Sequence, residues 1–314
     1  MMVGGYGRVE QWCVRVPATG AEAARQELIV RGILDLSLKP RREGDEVLLP
    51  VTVSLAGMQR GFFAANPRAP VLPRHELIGG IAVMQEDDPA GAEQVLSSRP
   101  NLHTVLLAES EVEGEYRTKR FTVLAGKPAT RTEVIEHGAR LTIDLSAAYF
   151  SARLATERQR IAALSRDGEI VLDMFAGVGP FAVALAKKAA LVLAADINPA
   201  AVSLMLYNLE RNRVKNVLPV LADARHLTAV IPWRFDRIVM NLPKSGEEFL
   251  PDAFRLCRQG GTIHFYALVS AEGEHRERIE GLGGRIIAER VVRSYSPAQW
   301  HAVYDIEIAN NNTQ

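Results

Sequence analysis

Between Glu169 and Asp223 the chain sets three aspartates and a glycine turn at spacings that suit a small ligand. An apolar run, EIVLDMF, carries Asp173 and Phe175 into Ala176-Gly177-Val178-Gly179-Pro180, and an apolar FAVALAKKAA follows. Glycines at a strand-to-helix turn let a ligand approach the backbone closely. Pro180 suits a first helical turn, where its missing N–H costs little. A tight turn that holds nothing has the same signature. Two further acids sharpen the reading. Asp196, followed by Ile197, ends LVLAAD, where a carboxylate can accept both hydroxyls of a ribose. Asp223, followed by Ala224, ends VLPVLAD, where an acid can receive the amino group of adenine. Asp173 beside the glycine turn would repel a pyrophosphate and attract an ammonium. The ligand implied is an adenosine joined to an amino acid, which describes S-adenosyl-L-methionine. A nicotinamide oxidoreductase is the rival, and for any single acid a helix cap or a solvated strand end is the plainer alternative.

A fourth apolar run, FDRIVMNL, leads into Asn241-Leu242-Pro243-Lys244. An Asn-x-Pro at such a strand end offers a side-chain amide and free carbonyls to the edge of a planar nitrogen heterocycle. It faces the methyl group if the fold is a methyltransferase, and is an ordinary turn otherwise.

These residues need a scaffold, and the texture of the chain predicts one. From Glu169 onward short apolar runs alternate with helical stretches, which argues for a doubly wound, mostly parallel sheet. The last two runs, GRIIAERVV and AVYDIEI, are joined by SYSPAQ without a helix and should form an antiparallel hairpin at the sheet edge. Upstream, residues 1–62 read as a small α/β domain with strands WCVRVP and EVLLPVTV and helix AEAARQELIVRG, stopped by Gly32. Residues 63–74 lie in a proline-bearing stretch and read as a linker. Residues 75–146 read as a mixed α+β domain with strands IGGIAVM, TVLLAES, RFTVLAG and ARLTIDL and helix GAEQVLSS. Residues 147–314 form the cofactor domain. The expected architecture is a Rossmann-like α/β domain preceded by two smaller α+β domains.

Composition narrows the class. Lys plus Arg equals Asp plus Glu at 37 each, so a polyanion-binding surface has to be local. Between Arg117 and Arg160 it is: nine Lys or Arg stand against four acids. Such a patch can track phosphates. Two cysteines without metal-ligand spacing, no signal-like leader and no long apolar stretch point to a cytoplasmic protein that needs neither metal nor membrane. A monomer is expected.

The sequence resembles the tRNA (guanine-37-N1)-methyltransferases of archaeal and eukaryotic type. The likeness rests on GEYR at 114–117, AGKPATRTEVIEHGARL, Tyr149-Phe150-Ser151 with RLATER, DMFAGVGPF, DINPAA, VMNLPK, GGTIHFYAL and RSYSP. It runs from GEYRTKR to the C-terminus, with a weaker echo at 12–52. It implies that residues 1–60 touch the outer corner of tRNA and that the anticodon loop is the substrate. N1 of guanine keeps its proton at neutral pH, so methylation needs a base at N1 and a cation or donor at O6. The resemblance assigns the base to Glu157. Arg117, permanently charged, is the O6 donor. Asn241 orients the base edge, Pro243 shapes the turn, and Tyr149 bounds the pocket. Lys119, Arg131, Arg153 and Lys244 are RNA contacts. The nearest alternative is a wyosine-pathway enzyme transferring a methyl or aminocarboxypropyl group to the tricyclic derivative of the same guanine. A non-catalytic RNA-binding module on the same fold is another.

Overall fold

The computed structural model describes residues 3–4, 8–53, 58–66, 72–110, 114–296 and 298–309. The chain divides into two compact units, Met1–Pro73 and Arg74–Gln314. In the first, strands β1 (Val3–Gly4), β2 (Arg8–Pro17), β3 (Arg41–Glu43), β4 (Glu46–Val51) and β5 (Gln59–Ala64) form one antiparallel sheet, and helix α1 (Ala21–Val30) follows β2. Leu28 of α1 packs with Leu34, Leu49 and Val51. Gly32, just past the helix, has φ +69°, a left-handed conformation that costs glycine little. The linker expected at 63–74 is corrected at its start. β5 pairs with β2 through Ala64, and Phe63 is fully buried. The alternation of Gly61 and Phe63 toward the core is a strand signal that the nearby prolines obscured.

The second unit opens with β6 (His75–Ile78) and β7 (Ile81–Met84), an antiparallel hairpin where one strand was expected over IGGIAVM. Gly79 turns it at φ +58°, and a Cβ there would lie 2.3 Å from the carbonyl oxygen of Glu133. Helix α2 (Pro89–Ser97), capped by Asp88, crosses over to β8 (Thr104–Ala108), which is parallel to β7, and β9 (Phe121–Gly126) completes the sheet in the order β6-β7-β8-β9. A hairpin of β10 (Arg131–Glu136) and β11 (Ala139–Asp144) follows. The strand RTEVIE was not expected, because charged residues interrupt its apolar alternation.

Helix α3 (Ala155–Leu164) leads into β12 (Ile170–Asp173), α4 (Pro180–Leu185), β13 (Leu191–Asp196), α5 (Pro199–Arg211), β14 (Val217–Leu221), α6 (Leu227–Val230), β15 (Phe235–Met240), α7 (Leu250–Leu256), β16 (Cys257–Val269), α8 (Arg276–Gly281), β17 (Gly284–Ser296) and β18 (Gln299–Ile308). The strands form one sheet in the order β14-β13-β12-β15-β16-β18-β17. The first five are parallel, and β18 runs antiparallel to both its neighbours, as the helix-free final hairpin predicted. One apolar cluster covers one face with α4 and α5, and another covers the opposite face with α6, α7 and α8. The first cluster is continuous with Ile81, Leu106, Leu141 and Ile143. The boundary expected between residues 146 and 147 therefore falls inside one core.

Asn208, fully buried on α5, fastens this arrangement. Its amide oxygen accepts from Thr142 N at 2.7 Å, and its nitrogen donates to Thr142 O and to Val178 O, both at 3.0 Å. It joins β11, α5 and the glycine turn through three bonds hidden from water. Asn208→Ala would strand the amide and carbonyl of Thr142 and the carbonyl of Val178. The expected loss is about 2–4 kcal/mol of unfolding free energy in urea titration. A loss below about 0.5 kcal/mol, the level of an ordinary surface substitution, would show that the amide is dispensable.

Candidate active site

Two clefts meet at the carboxyl ends of the central strands. The first, of roughly 310 Å³, is lined by Phe175, Ala176, Gly177 and Val178 after β12, by Asp196 and Ile197 after β13, by Asp223 and Ala224 after β14, and by Asn241 after β15. The second, of roughly 740 Å³, takes in Lys119, Arg153, Pro243 and Lys244. Arg117 and Tyr149 line both. The guanidinium of Arg117 lies 5.6 Å from the Tyr149 ring centroid, on its face, in cation–π contact. Fifteen of the nineteen candidate side chains thus face one cleft or both. Glu157, Asp173, Gly179 and Arg131 do not.

Each acid in the first cleft is held differently. Asp196 accepts the Gly177 amide at 2.6 Å and the Asn198 amide at 2.9 Å, which fixes the glycine turn against the end of β13. Burial raises its pKa against the pull of those amides. Asp223 caps the short turn after β14 and pairs with Arg225, whose Nε lies 2.8 Å away. That bond holds its carboxyl below the ordinary range, and an adenine amino group would share the carboxylate with Arg225. Gly177, at φ +56°, has only the Tyr149 carbonyl near the place a Cβ would occupy, 3.7 Å away. Backbone is therefore presented to the cleft.

Asp173 lies under this floor with no exposed surface, and neither carboxylate oxygen has a hydrogen bond of good geometry. Burial, and then the neighbouring Asp196, push its pKa up to about 7; the amides of Ala182 and Phe175 offset only part of this. The buried amide oxygen of Asn241 is likewise without a partner. A carboxylate and an amide oxygen left unpaired in a native core call for a donor. They fit a ligand carrying an ammonium and a heterocyclic amino group.

Three expectations about placement change. Gly179, at φ +85°, caps α4, and a Cβ there would come within 2.8 Å of Met205 Cγ. It serves the approach of α5 and does not line the cofactor cleft. Arg131 lines neither cleft and stacks on Tyr207 of α5 at 5.4 Å. Glu157, 8% exposed, accepts from Arg160 Nε at 2.9 Å and from the Tyr266 hydroxyl at 3.3 Å. Arg160 also forks onto Asp305 at 2.6 and 3.2 Å, and Asp305 holds His264 Nδ1 at 2.6 Å. Burial alone would raise the Asp305 carboxyl, but His264 and Arg160 bring it down to about 2. Tyr266, Asp305 and His264 come from strands more than 100 residues away from Glu157, so no local pattern announced them. Arg225, Arg293, Tyr295 and His301 also line the clefts and were not singled out from the sequence.

The parallel sheet, the glycine turn and the acids at three successive strand ends define a Rossmann-like methyltransferase fold. Residues 132–285 match the TRM5/TYW2 methyltransferase domain, and residues 13–59 match the tRNA methyltransferase 5 N-terminal domain. The chain is 37% identical to the tRNA (guanine(37)-N(1))-methyltransferase Trm5b of Pyrococcus abyssi, over 94% of this chain and 98% of that one. A crystal structure of Trm5b from that organism superposes with a TM-score of 0.71 at 35% identity, covering 96% of this chain and all of the other. A complex of aTrm5 with tRNALeu gives 0.70 at 26% identity, covering 94% and 99%. M. jannaschii TYW2 in complex with AdoMet gives 0.56 at 26% identity, covering 75% of this chain and all of the other. The chain belongs to the TRM5/TYW2 methyltransferase family.

The environment of Asp173 makes a prediction about stability. Its carboxyl titrates near 3.8 when unfolded and at about 7 when folded, so between those values the folded state keeps a proton that the unfolded chain has lost. Stability of the ligand-free protein should therefore fall as pH rises from about 4 to about 7, by up to ~4 kcal/mol from this group at ~1.4 kcal/mol per pH unit. Asp173→Asn should flatten that slope in urea titrations run across the range. An equally steep slope in the variant would mean that the carboxyl ionises freely in the folded protein.

Proposed function

We propose that this protein transfers the methyl group of S-adenosylmethionine to N1 of guanine 37 in tRNA. The observation that carries the reading is the junction at Arg117 and Tyr149, where a cleft holding Asp196 and Asp223 at its strand ends opens onto a cleft lined by six Lys or Arg and two Glu. The first suits an adenosine and an amino-acid ammonium. The second suits the phosphates and base edges of RNA. The relatives support both halves: a guanine-37 N1-methyltransferase, a Trm5 in complex with tRNALeu and a TYW2 in complex with AdoMet. The TYW2 structure covers 75% of this chain, whereas the Pyrococcus abyssi enzyme aligns with 94% of it and with an N-terminal unit included, which favours guanine over its tricyclic derivative.

In this reading Asp196 and Asp223 hold the ribose and adenine of the cofactor, Asp173 attracts its ammonium from beneath the floor, and the backbone at Ala176–Val178 closes against it. The cofactor supplies an electrophilic methyl group on a sulfonium. Asn241 and Pro243 orient the guanine edge, Tyr149 bounds the ring, and Arg117 offsets the negative charge that grows on O6. Burial lowers the pKa of Arg117, and its contact is with the Tyr149 ring and no carboxylate among the described residues, so its charge is available to the substrate. Glu157 accepts the N1 proton once its carboxylate swings free of Arg160 toward the cleft. Lys119, Arg153 and Lys244 follow the RNA backbone.

Incubation with labelled S-adenosylmethionine and transcripts bearing G or A at position 37 tests the assignment. Label should be fixed as 1-methylguanosine in the G37 transcript alone. Glu157→Gln should slow the single-turnover rate by about 10²–10⁴, and Arg117→Met by about 10²–10³. Absence of 1-methylguanosine would overturn the reaction, and a full rate in Glu157→Gln would remove the base. Deleting residues 1–73 should weaken tRNA binding and leave cofactor affinity intact. Unchanged tRNA affinity in the truncated protein would sink a tRNA-gripping role for that unit.

A further inference from the structure

His301 on β18 is 1% exposed, and neither ring nitrogen has a hydrogen-bond partner. It nevertheless lines the second cleft, together with Arg117, Arg293 and Lys244. Pairing with Leu268 on one side and Arg293 on the other fixes its backbone in the middle of the sheet, and its ring packs 5.6 Å from that of Tyr266. The buried Nε of Arg293 is also without a partner. Such a group of desolvated, unsatisfied polar atoms is costly unless something meets it.

Burial, and then the charges of Arg293 and Arg117, lower the His301 pKa to about 4, so the ring stays neutral at physiological pH. A neutral imidazole adds little for a phosphate, which is served by cations, and is well suited to a base edge. The neighbours choose which edge. Arg117 and Arg293 can only donate, so the floor around His301 is rich in donors. Guanine is the base that presents two adjacent acceptors, O6 and N7; adenine replaces O6 with an amino donor.

We propose that His301 is a base-recognition residue that donates its ring N–H to N7 of the target guanine, beside Arg117 at O6. The proposal rests on the guanine-37 reading above and extends base selection to the C-terminal hairpin, far along the chain from the Asn241–Lys244 turn.

The test uses the full-length protein and single-turnover methyl transfer to tRNA with guanosine or 7-deazaguanosine at position 37. The wild type should be slower on the 7-deaza substrate by about tenfold, the usual worth of one base contact. His301→Leu, which fills the space without a donor, should lose about tenfold on guanosine and treat the two substrates alike. His301→Gln, which restores a donor, should recover part of both the rate and the discrimination. Filter-binding affinity for tRNA should change less than twofold in either variant, since phosphate contacts are kept. No transfer by the wild type would overturn the guanine reading and this proposal with it. Wild-type transfer with equal rates on both substrates, or full discrimination retained in His301→Leu, would overturn this proposal alone. The wild-type comparison needs no variant, so misfolding of His301→Leu would not shelter it.

Discussion

The junction of β11, α5 and the glycine turn depends on a buried amide. Asn208 satisfies both polar groups of Thr142 and the carbonyl of Val178, joining β11 to the glycine turn, and Asn212 one turn on does the same for both polar groups of Arg140. Without Asn208, the amide and carbonyl of Thr142 and the carbonyl of Val178 would be buried without partners, which is costly. Gly179 is the steric counterpart, because α5 approaches the turn closely enough that Met205 leaves no room for a Cβ. The floor of the cofactor cleft therefore comes from its own loop and from helix α5 together. A cleft built on such contacts is preorganised, and a ligand entering it need not order the chain.

Charge is sorted between the two clefts by burial. Asp173 is dry, and its pKa is raised; Asp223 is bonded to Arg225, and its pKa is lowered. On the other side, Arg117 and His301 are desolvated with no carboxylate to compensate them. Asp173 beneath the first cleft and the His301 nitrogens beside the second are left without a hydrogen-bond partner. A folded protein tolerates such groups only where the rest of the fold is over-determined. Here the two apolar clusters on either face of the seven-stranded sheet provide that surplus.

The proposed base stands apart from this logic. Glu157 is engaged through Oε2 with Arg160 and Tyr266, and behind them Asp305, His264, Arg237 and Glu169 continue a buried hydrogen-bonded string. Removing one partner of a buried pair is expensive because it strands the other. The string therefore anchors α3 against β16 and β18 through Glu157 and Arg160.

Much of this was legible in the residues. The alternation of apolar runs and helices from Glu169 onward determined the parallel sheet, because buried strands and amphipathic helices carry their periodicity locally. Asp196, Asp223, Asn241 and the Gly177 turn were legible because strand ends in such a sheet all face one edge, so position in the pattern fixes position in space. Glycine alone was ambiguous: Gly177 and Gly179 look alike in sequence, and only the placement of Met205 separates ligand approach from helix packing. The β6–β7 hairpin and β5 were obscured because Gly79 and the prolines after Phe63 break the local signal while pairing across the sheet overrides it. The engagement of Glu157 by Tyr266 and Arg160, the turning of Arg131 onto Tyr207, and the burial of His301 were decided by tertiary structure. Each depends on which strand lies beside which, and the order β16-β18-β17 is a long-range choice that no stretch of a dozen residues contains.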